Sequence, residues 1–247
     1  MIHVVVPVYD EEPNVPSLLE GLRERLDPLG VPYRVVVVDD GSSDGTAAAA
    51  RAASRPDAPV EVVSHQRNLG PGAAFRSGFL RVLRDAGPQD VVLTLEGDRT
   101  SDPAVLPRLL QRIWEEGDDI ALASCYLFGG GIVGTRLHRV GLSHVANALM
   151  KQTLGLSGLA TLSSFYRAYH VRALRALHAR WGDGFIASRG FECMVEVLYR
   201  ASRLGLRVSE VPMRLDGGRR LGRSKMRVLR TSLAYFRLMA QARLGRL

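Results

Sequence analysis

Apolar residues along this chain follow two alternating rhythms. Short unbroken runs, many rich in valine, occupy 2–8, 33–39, 60–64, 91–96 and 120–124. Between them lie segments with apolar side chains every third or fourth position (15–29, 72–86, 103–116) and an alanine-rich stretch at 44–54. Unbroken β-branched runs belong to strands covered on both faces, and three-four spacing belongs to amphipathic helices. Their alternation predicts an α/β fold, a doubly wound, mostly parallel sheet flanked by helices. Asn14 and Pro16 have the types of a cap and a first-turn residue for the first helix. After about residue 125 the rhythm changes. Glycines cluster at 129–131 and 134, helices are expected at 136–155, 190–204 and 225–244, and an extended piece at 207–214. The expected organisation is one domain over 1–247, with a nucleotide-binding half (1–124) and an acceptor-side half (125–247).

The polar residues that end the strands carry the candidate chemistry. VVVVDDGSSDGT (35–46) places Asp39 and Asp40 at the carboxyl end of the second strand, where open α/β sheets bind ligands. Gly41 to Gly45 allow a tight turn, and Ser43 or Asp44 is suited to cap the next helix. The first strand ends in PVYDEE (7–12). Pro7 lacks an amide donor and suits a strand end, Tyr9 offers an aromatic face for a base, and Glu11 an acceptor for ring or ribose donors. In VVLTLEGD (91–98), Glu96 and Asp98 flank one glycine at a turn. Such a pair can approach one hard cation, Mg²⁺ or Mn²⁺, and Gly97 permits close approach of a diphosphate. The lead-in QRNLGPGAAFRSGF (66–79) could turn its amides to phosphate, but its spacing fits neither a Walker loop nor a dinucleotide fingerprint.

Charge changes the picture most at the end of the chain. The 247 residues carry a formal +8, and from Gly217 onward there are nine basic residues and no acidic one, leaving the first 216 at about −1. This calls for a local anionic partner: a phosphate-bearing substrate, an anionic membrane surface or nucleic acid. RRLGRSKMR (219–227) sets Gly222 and Ser224 among five cations and reads as a phosphate clamp. The last helix interleaves Leu229, Leu233, Phe236, Ala240, Leu244 and Leu247 with arginines, which suits a membrane interface and packing on the core equally. With only Tyr235 and Phe236 as aromatics there, no stacking platform for nucleic acid exists. No apolar run of about 18 residues is present, and the chain opens on a strand without a basic leader. The expected setting is the cytoplasm, peripherally at the inner face of the membrane. Cys125 and Cys193 read as reduced buried thiols. The histidines show no metal-ligand spacing, and no Ser-His-Asp order stands out.

These motifs together resemble the inverting family-2 glycosyltransferases of GT-A fold, and within them the dolichyl- and polyprenyl-phosphate mannosyltransferases. PVYDEEPNV is similar to the family's P-T-Y-N-E-x-x-N, VVVVDDGSSDGT to its second-strand motif, and RNLGPGAAFRSGF to R-N-x-G-x-x-x-A-x-R-x-G. LEGDRTSDP takes the place of D-A-D-x-x-x-x-P, and RRLGRSK matches R-x-x-G-x-S-K. The resemblance, over most of 3–226, implies a nucleotide sugar as donor, GDP-mannose favoured, and a phosphate-bearing lipid or small-molecule acceptor. It implies nucleotide-sugar contacts at Pro7, Tyr9, Glu11, Val38, Asp39, Asp40 and Gly97, and a divalent metal at Glu96 and Asp98. Arg219 and Lys225 would grip phosphate and, with Asp98, carry catalysis. Arg139 and Arg189 match basic positions on the acceptor side. Were the acceptor a hydroxyl, a general base would be needed, with Glu192 or Glu196 the candidates. The chain departs from the family pattern at Glu96 (for Asp), Thr100 (often Gln), Cys125 (Arg) and Thr161 (Asp). These changes bear on the acceptor more than on the donor.

Overall fold

The computed structural model describes residues 1–135, 137–222, 225 and 228–247; the side chains of 137–139, 142 and 228 also lie outside the described residues. The strands are β1 (Ile2–Val8), β2 (Tyr33–Asp39), β3 (Val60–Ser64), β4 (Val91–Thr94), β5 (Ile120–Ser124), β6 (Gly131–Val133), β7 (Arg167–His170), β8 (Val208–Pro212) and β9 (Arg214–Asp216). The helices are α1 (Val15–Leu26), α2 (Thr46–Ala52), α3 (Pro71–Leu83), α4 (Leu106–Trp114), α5 (Leu137–Leu154), α6 (Val171–Trp181), α7 (Cys193–Arg203) and α8 (Val228–Arg243). Seven strands form one sheet in the order β3-β2-β1-β4-β7-β5-β8, while β6 and β9 pair separately. Every pair in the large sheet is parallel except those made by β7, which runs antiparallel to both neighbours.

The valine runs are continuous because the sheet is covered on both faces. Val4, Val6, Val35 and Val37 face a core shared with α1 and α4. Val5, Val36 and Val38 face the opposite core with α3, α6 and α7. Successive strand side chains alternate between the two faces. A third cluster joins α5 and α8 to α7 through Met150, Leu154, Leu198, Leu238 and Met239.

Three local expectations differ from the structure. β4 ends at Thr94 rather than 96, because its pairings with β1 and β7 both stop there. β7 and α6 cover a segment for which the sequence predicted neither, and β7 inserts between β4 and β5, so both halves of the chain build one sheet. Asn14 precedes α1 but makes no side-chain cap; its amide serves the site described below.

The glycines leading into α3 are demanded by packing. A Cβ on Gly72 would lie 1.9 Å from the Ser188 carbonyl oxygen, and one on Gly70 (φ +94°) 2.3 Å from that of Arg189. Gly72→Ala is therefore expected to destabilise the chain by about 3 kcal/mol or more, outweighing the roughly 1 kcal/mol of helix propensity that alanine gains. Chemical denaturation measures this, and an unchanged midpoint would refute the contact.

Candidate functional site

The loops that follow β1 and β2 are laced together by the polar residues of 35–46. Ser42 Oγ accepts from the Asp10 N–H (2.9 Å), Thr46 Oγ1 from the Glu11 N–H (2.8 Å), and Asp44 from the Glu12 N–H (3.3 Å). In return Asp10 accepts from the Ser43 N–H (2.8 Å) and Glu12 from the Gly45 N–H (2.8 Å). Asp10 holds a left-handed φ of +49°, tolerable for Asp. The Asp44 carboxylate takes the Thr46 N–H (3.0 Å), although the cap position itself is Gly45. Ser43 is spent on Asp10 instead. Pro7 lies past the β1–β4 ladder, which stops at Val5–Thr94, so its missing donor costs no ladder bond. Tyr9 is half-buried beside Asp10, whose charge raises its phenol pKa.

Asp39 and Asp40 are both buried, and each has a protein partner. Asp39 turns the chain by accepting from the Ser42 N–H (3.0 Å). Asp40 accepts from the N–H groups of Leu69 (2.9 Å) and Gly70 (2.8 Å) and from His65 Nδ1 (2.7 Å). His65 Nε2 meets Ser77 Oγ at 2.9 Å, so the fold lines up a Ser-His-Asp series that chain order hid. The nearby Leu69 and Gly70 amides face Asp40, and the series anchors the α3 lead-in. The Leu69, Gly70 and Gly72 amides, which could have turned to phosphate, serve Asp40 and the Arg189 carbonyl instead. Val38 buries its side chain in the core and offers only backbone at this edge.

Beyond β4, Gly97 is required by its neighbours, since a Cβ there would come within 2.7 Å of Val8 Cγ1. That contact by itself requires a glycine here. Glu96 accepts from Ser101 Oγ (2.5 Å) and the Phe165 N–H (3.4 Å), and burial, reinforced by the charge of Asp98, raises its pKa. Asp98 Oδ1 accepts from Thr100 Oγ1 (2.7 Å) and the Thr100 N–H (3.1 Å). Its Oδ2 is held by Arg220, with Nε at 2.8 Å. Arg219, the family-matched cation, turns away toward Asp102 at 3.7 Å. Lys225 Nζ reaches the Asp10 carbonyl (2.6 Å) and Glu11 Oε1 (2.5 Å). The rest of the clamp motif, Arg223, Ser224, Met226 and Arg227, lies outside the described residues.

Two contributors were missed in the sequence. Asn14, fully buried, donates through Nδ2 to Glu11 Oε2 (2.6 Å) and the Leu221 carbonyl (2.9 Å), and accepts from the Leu221 N–H (3.1 Å). Its type suggested a cap, which hid its reach across the chain. Arg220 was hidden by its neighbour: in an Arg-Arg pair, sequence cannot say which side chain turns inward.

On the acceptor side, the Arg139 side chain lies outside the described residues. Arg189 is exposed. Glu196 accepts from the Ala187 and Ser188 N–H groups (3.1 and 2.8 Å) and pairs with Arg200 at 2.8 Å, a structural assignment that removes it as a base. Glu192 Oε1 takes the Gly190 N–H (3.1 Å), while its buried Oε2 has no partner among the described residues. Burial pushes the Cys125 thiol up to about 11, and Thr161, beside it, meets Ser124 Oγ at 2.7 Å. Two positions that are charged and opposite in the family pattern thus lie together as a neutral Cys-Thr pair. Among the described residues, no three His, Cys, Asp or Glu side chains gather as a metal cluster.

Comparison with known proteins agrees with this architecture. The family description "Glycosyl transferase family 2" matches residues 3–177. The polyprenol monophosphomannose synthase of Mycolicibacterium smegmatis is 32% identical over 246 residues, 99% of this chain and 88% of the relative. The undecaprenyl-phosphate mannosyltransferase of Micrococcus luteus is 32% identical over 222 residues, 90% of this chain and 86% of that one. In fold, the chain is similar to glucosyl-3-phosphoglycerate synthase from Mycobacterium tuberculosis in complex with Mn²⁺ and UDP-glucose. The TM-score is 0.66 at 21% identity, covering 100% of this chain and 78% of the other.

Proposed function

The chain belongs to glycosyltransferase family 2, and on that premise we propose that it transfers mannose from GDP-mannose, with inversion, to the phosphate of a polyprenyl phosphate. The observation that carries this reading is the cationic segment lying across the nucleotide edge, with Arg220 on Asp98 and Lys225 on Glu11. A phosphorylated ligand at that edge would exchange these internal ion pairs for its own. The names of the two mannosyltransferase relatives support the sugar and the lipid.

The residues fit a divalent metal of the Mg²⁺ or Mn²⁺ kind, because Asp98 already holds a cation, Arg220, on an outward oxygen. Such ions need only one or two protein carboxylates when substrate phosphates supply further oxygens, so a three-ligand cluster is not required. Asp98 would hold the metal with Glu96 behind it. When bound, the metal neutralises charge on the departing diphosphate. Tyr9 would flank the base and Glu11 accept from base or ribose. Lys225 and Arg219 would meet phosphate oxygens. The acceptor phosphate is already ionised, so its oxygen attacks the anomeric carbon without a general base, and catalysis rests on charge stabilisation and in-line placement.

Access to a lipid would be lateral. No helix among the described residues is long and apolar enough to cross a membrane. α8 instead packs inward through Leu238 and Met239 while Leu229, Leu233 and Phe236 stay exposed, with Val145 and Leu149 exposed on α5. Packing on the core is thus made by one face of the helix, and the other is left for the membrane reading. The outer face would rest on an anionic bilayer.

A second reading, transfer to a soluble hydroxyl, is favoured by one observation: the unpartnered, buried Glu192 Oε2, which could serve as a base. The deciding experiment offers GDP-mannose and Mn²⁺ with undecaprenyl phosphate or with small polyols, and follows products by mass spectrometry. Mannosyl-phosphoryl-undecaprenol is the expected product. Transfer to a polyol with none to the lipid would sink the lipid reading, and donor binding without transfer to either would mark a non-catalytic protein.

A further inference from the structure

Asp98 has no free oxygen. Thr100 holds Oδ1 through its N–H and its hydroxyl, and Arg220 holds Oδ2. A cation arriving at this carboxylate must therefore take Oδ2 from Arg220. The pair is partly sheltered, the side chains being 25% and 15% exposed, so solvent screens it less than an open surface pair. Arginine keeps its charge at any working pH, and deprotonation cannot relieve the competition.

Arg220 is also prevented from drifting away. The next residue, Leu221, is held through both its N–H and its carbonyl by the side chain of buried Asn14. Lys225, four residues further on, is fastened to Glu11 and to the Asp10 carbonyl. The guanidinium thus hangs from an anchored backbone within reach of Asp98, and a tether of this kind gives a high effective concentration.

We propose that Arg220 is an internal counter-ion that occupies Asp98 until a divalent cation is taken up, and that its release, with Leu221 still anchored on Asn14, delivers a positive charge to the diphosphate of the donor. The inference rests on the reading of Asp98 as the metal carboxylate. It makes cation uptake and the availability of Arg220 for phosphate one exchange on a single carboxylate oxygen. It also gives Arg220 opposite effects: against the bare cation, and for the cation together with a nucleoside diphosphate.

The test is Mn²⁺ titration at low salt, followed by calorimetry and by the paramagnetic resonance of free Mn²⁺, on the parent chain, Arg220→Gln, Arg220→Lys and Asp98→Asn. Without nucleotide, Arg220→Gln is expected to bind Mn²⁺ roughly three- to tenfold more tightly than the parent, the range of a partly buried charged pair. Arg220→Lys, which keeps the charge, stays near the parent. With GDP present, the advantage of Arg220→Gln disappears or reverses. If the parent binds Mn²⁺ through Asp98 and Arg220→Gln binds no more tightly, the exchange is refuted while the metal reading stands. If the parent and Asp98→Asn bind alike, the metal reading itself fails, and the exchange with it.

Discussion

Asp98→Asn is expected to cost about a thousandfold or more in kcat/KM for mannosyl transfer while the chain melts within a few degrees of the parent. The size follows from the proposed role of Asp98, to hold a metal against a diphosphate that must leave with added charge. The fold should survive because asparagine keeps an oxygen for the two donors of Thr100. What is lost is one partly exposed ion pair with Arg220, worth about 1 kcal/mol, or roughly 2–4 °C in a chain of this size. Glu96→Ala should behave differently. Its oxygens satisfy Ser101 and the Phe165 N–H in an enclosed place, so its removal should lower stability as well as rate. Steady-state kinetics over a Mn²⁺ series, beside thermal melts, separate the two carboxylates. Undiminished transfer by Asp98→Asn would overturn the metal assignment.

What could be read from the sequence was whatever each segment states by itself. The valine runs of β1, β2 and β4 announce buried strands, and their ends announce an edge rich in carboxylates. The parts that were not legible depend on partners far along the chain. β7 was hidden because Arg167 sits at its start, a residue acceptable there only because Ser164, Met194 and Leu162 supply carbonyl oxygens to its guanidinium. Asp40 reads as a ligand-facing carboxylate until the amides of Leu69 and Gly70 arrive to fill it. Asn14 reads as a cap until Leu221, 207 residues later, meets it. The resemblance to a family supplied the cations Arg219 and Lys225, and of the adjacent arginines only the fold shows that Arg220 takes Asp98. The departures Cys125 and Thr161, separate in sequence, lie side by side in the fold.

Replacing Leu229, Leu233 and Phe236 together by serine is expected to weaken binding to phosphatidylglycerol vesicles about a hundredfold without lowering the melting temperature. The three residues are 83%, 59% and 56% exposed and follow one another at four- and three-residue spacing on α8. Each would give up about 1 kcal/mol of partial burial at the acyl boundary, and about 2.7 kcal/mol in all is a hundredfold. The melting temperature should hold because Leu238 and Met239, the buried side of the helix, are untouched. Arg230, Arg237 and Arg243 flank the exposed stripe and would each add about 1 kcal/mol against anionic headgroups, so the parent should bind phosphatidylcholine vesicles far less well and lose affinity as salt rises. Vesicle sedimentation measures all three dependences, and retention of the triple variant on anionic vesicles would refute the membrane-facing role of α8. The same variant also separates surface from chemistry. It should still mannosylate a short, water-soluble prenyl phosphate at close to the parent rate, because the changes lie on the outer face of α8 and leave Asp98, Arg220 and Lys225 intact. Against undecaprenyl phosphate embedded in vesicles it should fail in proportion to its lost binding.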